Sequence, residues 1–487
     1  MTEYLFQLPR QGQGTLQTRI QEMLVNAILE GHLAPGSALP SSRKLARQLK
    51  VARNTVIYAY QHLVDEGFLI SRERSGFFVS PEILRGRVRQ APERSQGKDR
   101  IRWDEKLALT PDDMRQNLKP LDWYQYPYPF ICGQYDQQLF PIADWRECCR
   151  EAAAISAIHC WARDQVDRDH PDLVDQIHHK LLPRRGVWAD PDQILVTVGA
   201  QQGLYIAAQL LLNSERRMGF ESPGYVDAEN TFRIFTGNLS ALQVDLRGLV
   251  PDENFAACDL VYTTPSHQYP TTVTMPRNRR QEVLEAASKH DVLILEDDYE
   301  SEFNYVGEPT PALKSMDEDG RVIYIGSLSK TLAPGIRLGF MVGSREFIHQ
   351  ARALRRLMMR HPPSNNQFVI AEFLKRGYHD ALVNRLSQTL RRRWQLLGDL
   401  LEHHLPGGSR RSTFGGSAIW VKGKSSLDAD RLLRLAMAEG ILFEPGTVFF
   451  HGDNRPARYF RLGFSSIPTD HIEPGIEKLI SLLSGMR

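Results

Sequence analysis

One stretch of fifteen residues, IGSLSKTLAPGIRLG, places a lysine where it could bond covalently to a small molecule. Lys330 follows a short apolar run, Ser327 and Ser329 precede it, and Arg337 comes seven residues later. A lysine amine held in this way can attack an aldehyde to form a Schiff base. Hydroxyls and a guanidinium are groups that bind phosphate. The spacing therefore indicates an anchor for an aldehyde that also carries a phosphate.

A second apolar run, ILVTV, is followed by a turn of small residues that opens a helical stretch. Gly199, Ala200 and Gln201 stand at its start, where free backbone N–H groups can bind an anion. A turn of this kind is weak evidence by itself. Together with Arg337 and the serines, it predicts a phosphate-binding cup.

A third apolar run, DVLIL, leads directly into Glu296-Asp297-Asp298-Tyr299. Acidic groups at the end of a buried strand need a cationic or proton-bearing partner. The protonated nitrogen of a pyridine ring is such a partner, and a phenol can bond to a ring oxygen. Asp297 and Asp298 are both candidates for the ring nitrogen, and Tyr299 for the oxygen. Amine, carboxylate, phenol and phosphate cup together predict pyridoxal 5'-phosphate as the cofactor.

Six strand candidates must position these groups, and they alternate with helical stretches. Such alternation predicts an α/β domain with a mostly parallel sheet, whose ligands bind beyond the carboxyl ends of the strands. The candidates are Ile194–Val198, Met218–Phe220, Leu260–Thr263, Val292–Leu295, Val322–Ile325 and Leu338–Val342.

From about Tyr126 onward the chain resembles the pyridoxal-phosphate aminotransferases of fold type I, with a smaller C-terminal subdomain. The resemblance implies that Asp297 is the ring partner and that Tyr225, in ESPGY, stacks on the ring. It also implies that Arg461, in RYFRLGF, grips a carboxylate of the bound molecule. Tyr225 could instead be a core residue, and Arg461 could serve a structural ion pair. In PSHQYPTT, Thr272 stands where the family usually has glycine.

The N-terminal fifth of the chain differs from the rest in its charge. The formal net charge is only +2, yet residues 1–100 hold 15 Lys and Arg against 9 Asp and Glu. This excess indicates a polyanion as a partner of that part of the chain. A solvated basic face would give the same count.

The same region contains a helix-turn-helix pattern followed by a hairpin. Apolar residues recur at helical spacing up to Gly31, two short helices follow around a tight turn, and a basic hairpin tip comes next. We expect Val56, Ala59, Tyr60 and Leu63 to face the core. The residues expected to contact DNA are Ser42, Arg43, Arg53, Asn54, Thr55, Tyr58, Arg72, Arg74 and Gly76.

The run GHLAPGSALPSSRKLARQLKVARNTVIYAYQHLVDEGFLISRERSGFFV resembles the winged helix-turn-helix of GntR-family regulators. Joined to an aminotransferase-like half, it resembles the MocR/GabR regulators over essentially the whole chain. The predicted parts are a DNA-binding domain at 1–80, an arginine-rich linker at 81–124 and an effector domain at 125–487.

The resemblance implies a regulator that binds double-stranded operator DNA and senses an amine or amino acid by aldimine exchange at Lys330. It also implies a head-to-tail homodimer in which the DNA readers are swapped between subunits. Two alternatives stay open. The chain could be an active aminotransferase with an accessory DNA-binding domain, or the large domain could be only a dimerisation scaffold.

Neither membrane insertion nor secretion is indicated by the sequence. No run of about eighteen apolar residues occurs, and the first residues lack the order of a signal peptide, so a cytoplasmic protein is expected. The five cysteines are odd in number and form no CxxC pair, which favours reduced thiols. Neither the cysteines nor the paired histidines have the spacing of a metal site.

Overall fold

The computed structural model describes residues 14–83, 101–117, 119–134, 136–307, 310–410 and 415–486. The chain divides into two compact units, Met1–Leu107 and Ala108–Arg487. Residues 84–100, which carry most arginines of the predicted linker, lie outside the described residues. Residues 108–124, which the sequence assigns to that linker, group with the larger unit.

The smaller unit consists of three helices and a two-stranded hairpin. The first helix ends where the apolar pattern stops, and the second begins where the Ser41 hydroxyl accepts a hydrogen bond from the Lys44 N–H at 3.3 Å. The elements are α1 Leu16–Leu29, α2 Ser42–Leu49, α3 Arg53–Asp65, β1 Leu69–Arg72 and β2 Gly76–Val79.

A single apolar core holds the smaller unit together. The four residues of α3 predicted to face it, Val56, Ala59, Tyr60 and Leu63, are all fully buried. They pack with apolar residues of α1 and of the hairpin, such as Leu24. The opposite side of α3 is therefore left for solvent or a ligand.

The strands of the larger unit form a main sheet and a smaller C-terminal sheet. In chain order they are β3 Tyr128–Pro129, β4 Ile194–Thr197, β5 Met218–Ser222, β6 Leu239–Asp245, β7 Gly248–Leu249, β8 Leu260–Thr263, β9 Leu293–Asp298, β10 Val322–Ser327, β11 Gly339–Val342, β12 Ser409–Arg410, β13 Ala418–Lys422, β14 Ile441–Leu442, β15 Glu444–Pro445 and β16 Tyr459–Gly463.

The main sheet has the strand order β4-β11-β10-β9-β8-β5-β6-β7. Strands β6, β5, β8, β9 and β10 are parallel, whereas β11 runs antiparallel to both of its neighbours. All six predicted strands are found in it. The carboxyl ends of β4, β5, β8, β9 and β10 therefore meet at one edge, as the sequence predicts for a ligand site.

Helices cover the main sheet, and apolar clusters lie between the layers. The smaller sheet has the order β12-β13-β16-β15, and β14 pairs with β3. The helices are α4 Ile142–Ala152, α5 Ile155–Trp161, α6 Pro171–Gln176, α7 Leu182–Arg184, α8 Gly199–Leu211, α9 Val226–Phe235, α10 Glu253–Ala256, α11 Arg277–His290, α12 Arg345–Met359, α13 Ser364–Lys375, α14 Tyr378–His404, α15 Ala429–Ala438 and α16 Thr469–Gly485.

Two further observations bear on the expectations drawn from composition. All five cysteines are free thiols. Among the described residues, no helix is both long and apolar enough to cross a bilayer.

Candidate functional site

A cavity of about 670 Å³ opens at the edge where the parallel strands of the main sheet end. This volume lies within the range of roughly 300–1,000 Å³ that is usual for small-molecule sites. Most of the predicted cofactor-binding residues line it. They are Ala200, Gln201, Tyr225, Asp297, Tyr299, Ser327, Ser329, Lys330 and Arg337.

Lys330 lies three residues beyond the end of β10, and its amine projects into this cavity. Its Nζ lies 5.6 Å from the centre of the Tyr299 ring. Burial lowers the pKa of the Lys330 amine below its usual value, although the charge of Glu300 opposes this effect. More of the amine is therefore in the neutral, nucleophilic form than in an exposed lysine.

The two adjacent aspartates at the end of β9 have different surroundings because successive side chains of a strand point to opposite faces. Asp297 lines the cavity, and the Tyr262 hydroxyl donates to its Oδ2 at 3.0 Å. Its Oδ1 is buried without a hydrogen-bond partner among the described residues. Burial raises the pKa of Asp297 to about 7.

Asp298 is committed to an ion pair on the other face. Its Oδ2 accepts from the Arg185 Nε at 2.7 Å and from the Tyr324 hydroxyl at 2.9 Å. Burial alone would raise the pKa of Asp298, but Arg185 holds it below the ordinary value. Of the two candidates that the sequence left open, Asp297 is the one whose carboxylate is available to a ligand in the cavity.

Tyrosines surround the middle of the cavity. The Tyr299 hydroxyl is buried and has no partner among the described residues. The Tyr225 hydroxyl donates to Asp227 Oδ2 at 3.2 Å, and the tyrosine lines the cavity while it also packs against an apolar cluster of the main sheet. The ring of Tyr269 lies edge-on to the rings of both, at centroid distances of 5.2 and 5.9 Å.

One end of the cavity is built for an anion. Helix α8 begins at Gly199, so its first N–H groups have no partner within the helix. Gly199 has φ of +72°, and a β-carbon there would lie 3.0 Å from Nη2 of Arg337. The guanidinium therefore packs directly on the glycine. Ser327 and Ser329 line the same cavity, as the sequence predicts for a phosphate cup.

Arg461 does not line the cavity among the described residues. It is fully buried, and its guanidinium packs on the Tyr269 ring at 4.3 Å. Nη1 lies 3.5 Å from Glu444 Oε2, while Nε and Nη2 have no hydrogen-bond partner among the described residues. The arginine is thus buried against Tyr269, a residue that lines the cavity, and one of its three nitrogens faces a carboxylate.

Lys119 is a cavity residue that the sequence does not predict. Its Nζ lies 3.0 Å from Glu444 Oε1 and donates to the backbone oxygen of Cys132. The preceding segment is tied down by Arg115, which donates to the carbonyls of Val448 at 2.8 Å and Phe450 at 2.7 Å. This part of the chain has little apolar periodicity, so no local signal could have placed it at the site.

The predicted DNA-contacting surface comprises residues of α2, α3 and the hairpin, most of which are exposed. Arg53 is exposed at the start of α3, and its Nε donates to the Ser42 hydroxyl at 3.3 Å. Tyr58 is 63% exposed. None of the arginines of this surface has a carboxylate within ion-pair distance in the described part of the chain, so their charges are free for phosphates. Besides Arg53, these arginines are Arg43, Arg72 and Arg74; Asn54, Thr55 and Gly76 complete the predicted set.

The residues of the cavity fit pyridoxal phosphate because several of their polar groups have no hydrogen-bond partner among the described residues. Asp297 Oδ1 and the Tyr299 hydroxyl are buried and have no partner among the described residues, as groups that bind a ring nitrogen and a ring oxygen would be. The close approach of Arg337 to Gly199 leaves an anion cup at the start of α8. Lys330 provides the amine between them.

A DNA-reading unit and a cofactor-binding unit in one chain define a class of transcription regulator, and comparisons with known proteins agree. Residues 16–79 match the family of bacterial regulatory proteins called gntR, and residues 133–479 match the aminotransferases of class I and II. The HTH-type transcriptional regulator TauR of Rhodobacter capsulatus is 40% identical over 97% of each chain. The probable rhizopine catabolism regulatory protein MocR of Rhizobium meliloti is 29% identical over 97% of this chain and 95% of its own.

Among solved structures, the kynurenine aminotransferase of Pyrococcus horikoshii, in complex with PMP, matches with a TM-score of 0.69. It is 27% identical and covers 74% of this chain and 92% of its own. The chain belongs to the GntR-type regulators with an aminotransferase class I and II domain, in the MocR/GabR subfamily. It is a DNA-binding transcriptional regulator that depends on pyridoxal phosphate.

Proposed function

We propose that this regulator holds pyridoxal phosphate on Lys330, detects a small amine or amino acid at that cofactor, and then changes its affinity for operator DNA in the cytoplasm. The observation that carries the proposal is that the amine of Lys330 shares one cavity with Asp297, whose Oδ1 has no hydrogen-bond partner among the described residues. When bound, pyridoxal phosphate supplies an aldehyde that reacts reversibly with primary amines.

The residues of the cavity divide the work of holding the cofactor. Asp297 would hold a proton on the ring nitrogen; burial raises its pKa to about 7, so a cationic partner would stabilise its ionised form. Tyr299 would donate to the ring oxygen, and Tyr225 would contact the ring. The start of α8, together with Arg337 and the two serines, would bind the phosphate.

Lys330 is the residue that would hold the cofactor reversibly. Burial favours the neutral form of its amine, so it would act as a nucleophile without a large cost in deprotonation. If binding of an effector in this cavity favours a different conformation, it changes DNA affinity through a coupling of about 1–3 kcal/mol. Sensing then needs no net turnover.

The Lys330→Ala protein provides the test. It is expected to lose the visible absorption band of the lysine-bound cofactor and to lose any response of DNA binding to added amines. Lys375→Gln changes an exposed lysine on α13 and serves as the control, because in the described part of the chain the Lys375 amine pairs with its helix neighbour Glu372 alone, at 3.6 Å. A Lys330→Ala protein that keeps the band would contradict the proposal.

Catalytic transamination is a second candidate, which the similarity to an aminotransferase and the retention of both Lys330 and Asp297 in one cavity favour. Steady production of a keto acid from an amino donor and acceptor pair would support it. A spectral shift that persists for hours after one amine is added would instead support sensing.

The family resemblance further suggests that the regulator acts as a head-to-tail homodimer with two DNA readers. Two readers related by symmetry would match two half-sites of an operator. Sedimentation of the full chain with the cofactor bound tests this, and a protein that stays monomeric at micromolar concentration would contradict it.

A further inference from the structure

We propose that Glu300 is the counter-ion of the Lys330 amine and stabilises its ammonium form whenever this lysine does not hold the cofactor. The proposal rests on the function proposed above, because it concerns the lysine that would hold the cofactor. It adds to the site a buried positioning residue that lies outside the set lining the cofactor cavity in the described part of the chain.

Two carboxylates share a cavity with Lys330, and the two cavities are different. Asp297 lines the cofactor cavity, whereas Glu300 lines a separate and much smaller one, which Lys330 also lines. The carboxylate of Asp297 would be engaged by the ring nitrogen when the cofactor is bound. Glu300 therefore remains as the carboxylate that serves the lysine amine with or without the cofactor.

The surroundings of Glu300 leave one of its oxygens for a cation. The residue is 2% exposed, and its Oε1 accepts a hydrogen bond from the Ser417 hydroxyl. Its Oε2 has no hydrogen-bond partner among the described residues. A buried carboxylate is costly unless a cation or hydrogen bonds compensate it. Burial lowers the pKa of the Lys330 amine, and the charge of Glu300 is the strongest influence in the opposite direction.

His267 faces Glu300 as well, but it does not supply the positive charge. A β-carbon on Gly416 would lie 3.4 Å from His267 Nδ1 and 3.8 Å from Glu300 Oε2, so both groups approach the same glycine. Burial lowers the pKa of His267, although the charges of Glu300 and Asp298 oppose this effect. The ring is therefore mainly neutral at pH 7, and the positive charge has to come from Lys330.

The other ionisable groups around Lys330 do not take this role. Lys119 and Arg461 are cations and disfavour a further positive charge on its amine. Asp136 lines a third cavity with Lys330, but it is paired with Arg393 at 2.5 Å. Burial raises the pKa of two neighbouring groups, which stay uncharged at neutral pH: Cys132 and Tyr299.

The first experiment measures the neutral fraction of the Lys330 amine in the cofactor-free full chain. Acetic anhydride acylates neutral amines, and mass spectrometry of the digested protein follows the rate at Lys330 from about pH 6 to about pH 10. An opposite charge nearby shifts a pKa by about 1–3 units towards the charged form. Glu300→Gln is therefore expected to be labelled about tenfold faster at about pH 6, and the two rates should converge at high pH.

Two variants and an internal reference control this measurement. Glu302→Gln removes a carboxylate two residues away, whose Oε2 accepts from the Ser301 hydroxyl at 2.8 Å, and should be labelled at the wild-type rate. Glu300→Asp keeps the charge and should stay closer to the wild type than Glu300→Gln. The exposed Lys375 in each digest corrects for the amount of reagent. No acceleration in Glu300→Gln, or a change that is equal at every pH, would overturn the proposal.

A second measurement uses the visible band of the cofactor-loaded full chain. The concentration of propylamine that changes half of the band should be about tenfold higher in Glu300→Gln at about pH 6, because the freed Lys330 ammonium lacks its counter-ion. An unchanged concentration would contradict the role of Glu300. A wild type that forms no band would instead refute the function proposed above, and the labelling of Lys330 would still test the counter-ion.

Discussion

Replacing Asp297 by asparagine is expected to stabilise the cofactor-free protein at neutral pH, although it removes a cofactor-binding group. The reason is that the carboxylate is buried in a cavity and, among the described residues, accepts a hydrogen bond from the Tyr262 hydroxyl alone. Burial raises the pKa of Asp297 from 3.8 to about 7. Asparagine can accept the same hydrogen bond and carries no charge.

The magnitude and its pH dependence follow from linkage. Between about pH 4 and pH 7, Asp297 is ionised in the unfolded chain and protonated in the folded protein, so the folded protein binds more protons and loses stability as the pH rises. Each pKa unit corresponds to about 1.4 kcal/mol, which gives a ceiling of about 4 kcal/mol. The stabilisation by Asp297→Asn should therefore grow from near zero at pH 4 to a plateau above pH 7.

Urea unfolding of the cofactor-free wild type and variant at several pH values between 5 and 8 measures this difference. Asp298→Asn is a matched control on the adjacent residue. It should destabilise the protein at pH 7 by about 3 kcal/mol, because it leaves Arg185 buried without its carboxylate. Adding pyridoxal phosphate should stabilise Asp297→Asn less than the wild type. A gain that does not change with pH would refute the reasoning.

Two further substitutions test the DNA surface and the phosphate cup. Arg53→Ala should weaken binding by about 1–3 kcal/mol, as loss of a nucleic-acid contact does. The probe is a DNA fragment that the wild type selects from a random pool, and the visible band of the cofactor should stay unchanged. An unaltered gel-shift affinity would count against the assignment of α3 as the DNA-reading helix. Gly199→Ala should cost about 1–2 kcal/mol of stability, since Gly199 has a left-handed φ of +72°, and should weaken cofactor binding because its methyl group crowds Arg337. Gly237→Ala is the control for the loss of a glycine alone, because no atom lies within 4 Å of the new methyl group. Equal cofactor affinity in the two variants would exclude a phosphate cup at Gly199.

The closeness of the cavity residues could be predicted from the sequence, because the carboxyl ends of parallel strands meet at one edge of a sheet. Strands β9 and β10 pair in parallel, with Ile325 opposite Asp297. Whatever follows such strands lies at one edge, so Lys330 and Asp297 meet without any knowledge of distant contacts. The choice between Asp297 and Asp298 could not be made from local sequence, since it depends on which face Arg185 reaches from elsewhere in the chain.

Lys119 and Glu444 were missed for a related reason. The segment that carries Lys119 is held by side-chain bonds from Arg115 to carbonyls more than 300 residues away, which leave no periodic trace in the sequence. Glu444 lies in a strand of two residues, too short for an alternating pattern. Arg461 was predicted as a site residue from its motif. Its burial against the Tyr269 ring depends on long-range packing, which the spacing of residues in the sequence does not reveal.

The reversed direction of β11 has a consequence for the size of the molecule that the cavity accepts. Ser327 at the end of β10 pairs with Gly339 at the start of β11, so residues 328–338 form a loop closed at its base. Lys330 and Arg337 both belong to this loop, and the Asn366 amide fixes its outer part by donating to the Ile336 carbonyl at 2.7 Å. The loop therefore fixes the distance between the Lys330 amine and the Arg337 guanidinium. A change of one residue in the length of the loop would alter this distance while the sheet stays intact.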